Sequence, residues 1–135
     1  MHNKQLSETL EDYLETILQL QNTKTVARSK DIAEKLNIKR GSVTGMLKKL
    51  AENKLIHYEP YGYVTLTPEG RDIAEEIQQR HMFLKDFFER ILQIDKDKAD
   101  KTACRMEHAM DKETFSRFKA FLKKVDACPK CSRDY

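Results

Sequence analysis

A chain of 135 residues is one domain or two very small ones. With 35% charged residues, no Trp and few Gly or Pro it suits a highly soluble helical protein, and no run approaches the roughly twenty apolar residues of a membrane span. Three cysteines, an odd number, make no disulfide framework, and no charged segment leading into an apolar one opens the chain. The expectation is a cytoplasmic protein with reduced thiols and no membrane partner. The net charge of +3 is unevenly spread: residues 23 to 66 hold nine Lys/Arg against four Asp/Glu. A local basic excess is what one nucleic-acid-binding face requires.

Residues 7 to about 21 read as a first helix with the apolar stripe Leu10, Tyr13, Leu14, Ile17 and Leu18. Glu8, Glu11, Asp12 and Glu15 take its remaining faces. Asp12 and Glu15 are i, i+3 neighbours, so both carboxylates can point to one place; acids near a helix N-terminus also suit the macrodipole. After the polar connection Asn22-Thr23-Lys24-Thr25, Ser29 can cap a short helix carrying Ile32, Ala33 and Leu36. Asn37-Ile38 makes a turn. A second helix, starting near Lys39 or Arg40, buries Val43, Met46, Leu47, Leu50 and Ala51. This pair reads as a helix-turn-helix. The second helix carries the candidate DNA contacts Lys39, Arg40, Ser42, Thr44, Gly45, Lys48 and Lys49: small residues for close approach, Thr44 for base edges, the lysines for phosphates or guanine.

Ile56 and Tyr58, then Val64 and Leu66, alternate with polar residues around Glu59-Pro60-Tyr61-Gly62, which has Pro and Gly where a type I turn wants them. This is a β-hairpin directly after the recognition helix, a wing, with Tyr61 at its tip as a further candidate DNA contact. Thr67-Pro68 is an N-cap followed by Pro at the first helical position. A long helix runs from there to about Leu92 on the stripe Ile73, Ile77, Leu84, Phe88 and Ile91, and His81 falls on that stripe. Asp95 can cap a helix whose apolar residues are Ala99, Ala103, Met106 and Met110. On it Cys104, Glu107 and His108 stand at i, i+3 and i+4, three ligand types for a transition metal on one face. Asp111 can cap a last helix with the stripe Phe115, Phe118, Leu122 and Val125. The spacing of Cys128 and Cys131 suits half of a second metal knuckle; the alternative is a reduced, unstructured tail.

The fold class is therefore mainly α with a small β-hairpin: a winged helix-turn-helix DNA-binding domain over residues 1–70, a helical metal-binding and dimerisation domain over 71–126, and a Cys-containing tail over 127–135. No His-Glu-x-x-His helix, Gly-rich phosphate loop or Ser/His/Asp set argues for an enzyme. The competing regulator is a winged-helix protein that ignores metals, with Glu107 and His108 merely paired.

Seven segments occur in the order of a known family: Glu11-Asp12-Tyr13-Leu14-Glu15, Asp31-Ile-Ala-Glu-Lys-Leu36, Ser42-Val-Thr-Gly-Met-Leu47, Tyr58-Glu-Pro-Tyr61, Leu66-Thr-Pro-Glu-Gly-Arg71, Arg80-His81 and Ala103-Cys104-Arg-Met-Glu107-His108-Ala-Met110. On these the chain resembles the metal-dependent repressors of the diphtheria toxin repressor and manganese transport regulator family, to about Val125. The resemblance implies a homodimeric transcriptional repressor of metal homeostasis genes, binding a palindromic operator in double-stranded DNA with a divalent transition metal as co-repressor. It places the metal site on Asp12, Glu15, His81, Cys104, Glu107 and His108. Cys104 resembles the iron-responsive branch, which has Met where Asp12 stands; Asp12 and Glu15 resemble the manganese-responsive branch, which has Glu where Cys104 stands. The expected co-repressor is Fe(II) or Mn(II), Fe(II) first, with Co(II) and Zn(II) as substitutes in vitro. The iron branch's ancillary site would include His81, but Lys85 and Asp100 replace its Glu and His, and a protonated Lys is no ligand. The larger members add an SH3-like third domain.

Overall fold

Six consecutive side chains, Tyr13 to Leu18, are buried, so the first helix is enclosed on nearly every side rather than along one stripe. The computed structural model describes residues 6–59 and 62–127. The described residues form two units, divided between Ile77 and Gln78.

In the first unit α1 (Glu8–Lys24), α2 (Ser29–Leu36) and α3 (Arg40–Glu52) pack with a hairpin of β1 (Ile56–Tyr58) and β2 (Val64–Leu66). The Ser7 hydroxyl accepts the Leu10 N–H at 3.3 Å and starts α1. The helix continues past the expected end near residue 21 to Lys24. The Thr23 hydroxyl turns back on the carbonyls of Gln19 and Leu20, and Thr25, at φ 74°, closes the last turn through the Gln21 carbonyl. The polar Asn22–Lys24 stretch is thus an exposed helix end, not a connection. Glu15, expected on an outer face, is only 9% exposed.

The start of α2 also differs from expectation. Arg28, extended at φ −127° and ψ 154°, holds the N-cap position without a side-chain bond, and Ser29 is the first helical residue. The cause is tertiary: Ala27 pairs with Val64 in both directions, at 3.1 and 2.8 Å, and keeps the backbone extended up to Arg28. Asn37 ends α2 in the left-handed conformation at φ 55°, one that Asn tolerates, and turns the chain into α3. Val43, Leu47 and Leu50 then face the core that α1 fills, with Met46 and Ala51 at its margin. The hairpin pairs Ile56 with Leu66, His57 with Thr65 and Tyr58 with Val64, so period-two alternation buries Ile56, Val64 and Leu66. Gly62 N–H donates to the Glu59 carbonyl at 2.8 Å and closes the wing turn, whose two central residues lie outside those described.

Thr67 caps α4 (Pro68–Asp86) as expected. Its hydroxyl accepts the Gly70 N–H at 3.1 Å and donates to the Lys54 carbonyl at 2.9 Å. Gly70 is required here by contact: a Cβ would stand 2.0 Å from the Leu55 carbonyl oxygen.

In the second unit the end of α4 opens into a π-helical turn, Phe87–Ile91, before α5 (Lys96–Met106) and α6 (Lys112–Ala127). Leu84, Phe88, Ala99 and Ala103 form the core, with Phe87, Ile94, Met110 and Phe118 against it. Phe83 meets Phe115 and Phe118 edge-to-face at 5.2 and 5.4 Å, which ties α6 to α4. Asp95 caps α5 through the N–H groups of Asp97 and Lys98. Asp111 caps α6 through Thr114 N–H at 2.6 Å, and that bond holds its carboxyl below the usual aspartate range. Arg90 reaches Asp126 at 2.9 Å, and this pairing, with a second one to Asp86, pushes the guanidinium pKa up. Met106, expected on the apolar stripe of α5, is 40% exposed.

Because a backbone carbonyl cannot step aside as a flexible side chain can, Gly70→Ala is expected to destabilise the first unit by about 1–3 kcal/mol. Chemical denaturation of the variant beside the parent measures it, and no loss of stability would mean that the α4 start moves freely against Leu55.

Candidate functional site

α3 presents Lys39, Arg40, Gly41, Ser42, Gly45, Lys48 and Lys49 to solvent, with Thr44 half-buried, and has no acid in its first turn. One flank of it, the start of α2 and the hairpin enclose a cavity of about 580 Å³ lined by Arg28, Ser29, Lys30, Arg40, Thr44, Lys48, Tyr58 and Gly62. Four of these eight residues are cationic, and no carboxylate is among them. Concave walls of one charge sign concentrate the field and attract a polyanion. Sequence reasoning had found Arg40, Thr44 and Lys48. Lys39, Ser42, Gly45 and Lys49 are exposed on α3 but do not line the cavity, and Tyr61 lies outside the described residues. Arg28, Lys30 and Tyr58 also line the cavity and were not among the residues expected there. The signal was the pair of bases flanking Ser29, at a helix start, where cations do not favour the macrodipole and so need another reason. The Arg28 guanidinium lies 5.0 Å above the Tyr63 ring and donates to its hydroxyl at 3.2 Å, which holds that cation at the wing.

A Cβ at Gly41 or Gly45 would meet nothing within 4 Å. Neither glycine is needed for internal packing, although each costs the helix about 0.8–1.0 kcal/mol relative to Ala.

The metal-type residues divide between the two units. In the first, Asp12 and Glu15 stand three residues apart on α1, Asp12 half-buried and Glu15 buried. In the second, His81 of α4 meets the residues that follow α5. The helix closes with Glu107 as its cap, whose N–H donates to the Ala103 carbonyl at 2.9 Å; His108 lies in the turn beyond. Glu107 keeps helical dihedrals, φ −57° and ψ −34°, three residues after Cys104; the two differ in burial, Cys104 exposed and Glu107 0% exposed. The structure instead gathers His81, Glu107 and His108. His81 Nδ1 is 2.9 Å from Glu107 Oε2, and His108 Nε2 is 3.3 Å from Glu107 Oε1. Neither contact reaches the Glu107 oxygens with hydrogen-bond geometry. On its other side His81 Nε2 contacts Asp100 Oδ1 at 2.8 Å, and Lys85 Nζ lies 3.9 Å from the same oxygen.

These residues fit a divalent cation. Two imidazoles crowd a buried carboxylate without bonding it through hydrogen, and carboxylate oxygen with imidazole nitrogen is a donor set for Mn(II) or Fe(II). A buried carboxylate without a compensating charge or hydrogen bond costs on the order of several kcal/mol. Cys128 and Cys131 lie outside the described residues. Among the described residues no helix is long and apolar enough to cross a membrane.

A winged helix-turn-helix with a cationic cavity, followed by a helical unit with an imidazole–carboxylate cluster, defines a metal-responsive regulator in class. Residues 5–64 match the model for the N-terminal DNA binding domain of iron dependent repressors, and residues 67–135 match the model for their metal binding and dimerisation domain. The chain belongs to the iron dependent repressor family, whose members are DNA-binding transcriptional repressors and not enzymes. It is 38% identical over 120 residues to an uncharacterised HTH-type transcriptional regulator of Methanocaldococcus jannaschii, covering 88% of this chain and 96% of that one. It is 35% identical over 120 residues to the transcriptional regulator MntR of Escherichia coli O6:H1, covering 89% and 77%. Among solved structures, a manganese-dependent transcriptional repressor in complex with manganese superposes with a TM-score of 0.77 at 30% identity, covering 84% of this chain and 52% of that one. The T. acidophilum IdeR gives 0.71 at 30% identity, covering 84% and 53%. The chain spans about half the length of these two solved chains.

Gly45→Ala is expected to raise fold stability by roughly 0.5–1 kcal/mol while weakening binding to duplex DNA, because the helix gains propensity and loses closeness. Thermal unfolding and a DNA titration on the same variant test both halves; unchanged DNA affinity would remove Gly45 from the interface. Arg28→Ala should weaken binding to all sequences and reduce the salt slope by roughly one counterion.

Proposed function

We propose that this protein represses transcription by binding a palindromic operator in double-stranded DNA as a homodimer, with Fe(II) as co-repressor and Mn(II) close behind. The carrying observation is the Glu107 carboxylate, 0% exposed and set between two imidazoles without hydrogen-bond geometry. In a chain whose first unit is a winged helix, that cluster is where a cation would act on DNA binding. The ligands assigned are Asp12 and Glu15 from the first unit and His81, Cys104, Glu107 and His108 from the second. The domain assignment that goes with it is 1–70 for DNA, 71–126 for metal and dimerisation, and 127–135 for the Cys-containing tail. A divalent cation held by these residues would supply the positive charge that their carboxylates lack.

The chain's own residues do the rest. The cationic cavity and α3 bind DNA; α1 carries the acid pair and packs on α2 and β2, which hold α3 and β1 in turn, so restraining those carboxylates restrains the winged helix. Two-fold symmetry of a dimer makes the operator palindromic. Met82, Leu92 and Phe121 of the second unit, 63%, 50% and 57% exposed, leave apolar surface for a second copy. The genes served are those of metal homeostasis, in the cytoplasm. Asp12, Glu15 and Glu107 are hard donors, and Cys104 is the single soft one; the thiolate favours Fe(II) over Mn(II), and three carboxylates disfavour tetrahedral Zn(II).

A cation switches DNA binding only if it binds the DNA-competent arrangement better, and linkage then requires operator DNA to raise metal affinity by the same factor. Calorimetric titration of Mn(II) with and without operator tests this; equal affinities would sink the mechanism, and full binding in chelator would favour a metal-independent regulator. Cys104→Glu is expected to shift activation of DNA binding towards Mn(II). If Mn(II) already activates the parent at lower free concentration than Fe(II), and the substitution changes nothing, Cys104 is not a ligand and the preference for iron fails.

A further inference from the structure

We infer that Asp100 is a positioning residue for the metal centre, acting through His81. The inference rests on the reading that His81 is a ligand. The imidazole has a carboxylate at each nitrogen: Asp100 Oδ1 lies 2.8 Å from Nε2, and Glu107 Oε2 lies 2.9 Å from Nδ1. The two carboxylates are unlike. Asp100 is 53% exposed and its contact has hydrogen-bond geometry, whereas Glu107 is 0% exposed and its contact has none. A neutral imidazole carries one N–H and one lone pair, and the proton goes where an acceptor is aligned to receive it. With a cation held at Nδ1, the remaining N–H is on Nε2, where Asp100 Oδ1 stands aligned to receive it. A carboxylate that takes the outer N–H of a ligating histidine sets both its tautomer and its ring orientation. Lys85, four residues after His81 on α4, holds its ammonium 3.9 Å from the same Asp100 oxygen and so helps to keep the acceptor at Nε2. Asp100 thus makes His81 a ligand through Nδ1 without touching the cation itself.

The test uses the full chain, Mn(II) alone as the probe, and three proteins: parent, Asp100→Asn and His81→Ala. The Asn amide can donate to Nε2 and so favours the opposite tautomer. Asp100→Asn is expected to weaken Mn(II) binding roughly ten- to hundredfold, with the number of ions per chain and the thermal midpoint of the metal-free protein unchanged. The nitrogen-15 spectrum of the metal-free protein should show the His81 proton moving from Nε2 to Nδ1, which loss of a merely structural ion pair would not produce. If His81→Ala weakens binding while Asp100→Asn leaves affinity and tautomer as in the parent, the positioning role is wrong and the metal centre stands. If His81→Ala leaves Mn(II) affinity unchanged, His81 is no ligand and both readings fall. If Asp100→Asn removes an ion from the stoichiometry, Asp100 is itself a ligand and the inference is overturned.

Discussion

The side chain on which the second unit turns is Glu107, a carboxylate taken wholly out of water in a chain that is otherwise generous with exposed charge. It arrives there through packing of the plainest kind. Ala99 and Ala103, both 0% exposed, let α5 lie close against Leu84 and Phe88, and the cap position one turn after Ala103 inherits that closeness. A carboxylate so placed needs positive charge or aligned donors. The nearest groups are the imidazoles of His81 and His108, and their nitrogens face its oxygens without hydrogen bonding to them. A set of donors held together in this way is paid for by apolar packing and becomes favourable when a cation joins it.

The first unit answers to a different constraint. Its core is organised around α1, which packs on α2 and β2, while α3 packs on α2 and β1. Gln21 of the same helix accepts the Leu66 N–H at 2.7 Å, which fastens the wing to α1. Asp12 and Glu15 stand on this one rigid element. α3 and the hairpin share one apolar core with this helix, so the surface they present is built on it.

On the DNA-facing side, local stability and external fit pull apart. α3 holds two glycines that its own packing does not use, and the concave surface beside it gathers four cations with no acid among its described lining residues. Both features are unfavourable to an isolated domain, through lost helix propensity and through self-repulsion. Both become favourable when a polyanion of large, regular grooves is the partner.

Periodicity alone disclosed the helices, the two strands of the hairpin and most of the core, because apolar spacing of 3.6 and of 2 is written directly in residue order. The caps at Thr67, Asp95 and Asp111 were equally plain, being side-chain bonds to a backbone two or three residues away. The departures at Ser29 and at Asn22–Lys24 have separate causes. A strand pairing between Ala27 and Val64, 37 residues apart, decides where α2 begins, and solvent exposure of a helix end looks like a loop when only composition is seen. The ligand types at 81, 107 and 108 were legible as chemistry, but not that Cys104 is exposed and Glu107 buried. The cations Arg28 and Lys30 join Arg40 and Lys48 only through the fold. Residue order determined which elements form and which side chains carry chemistry; burial, and which of those side chains meet, waited on tertiary packing, because both depend on contacts between segments far apart in the chain.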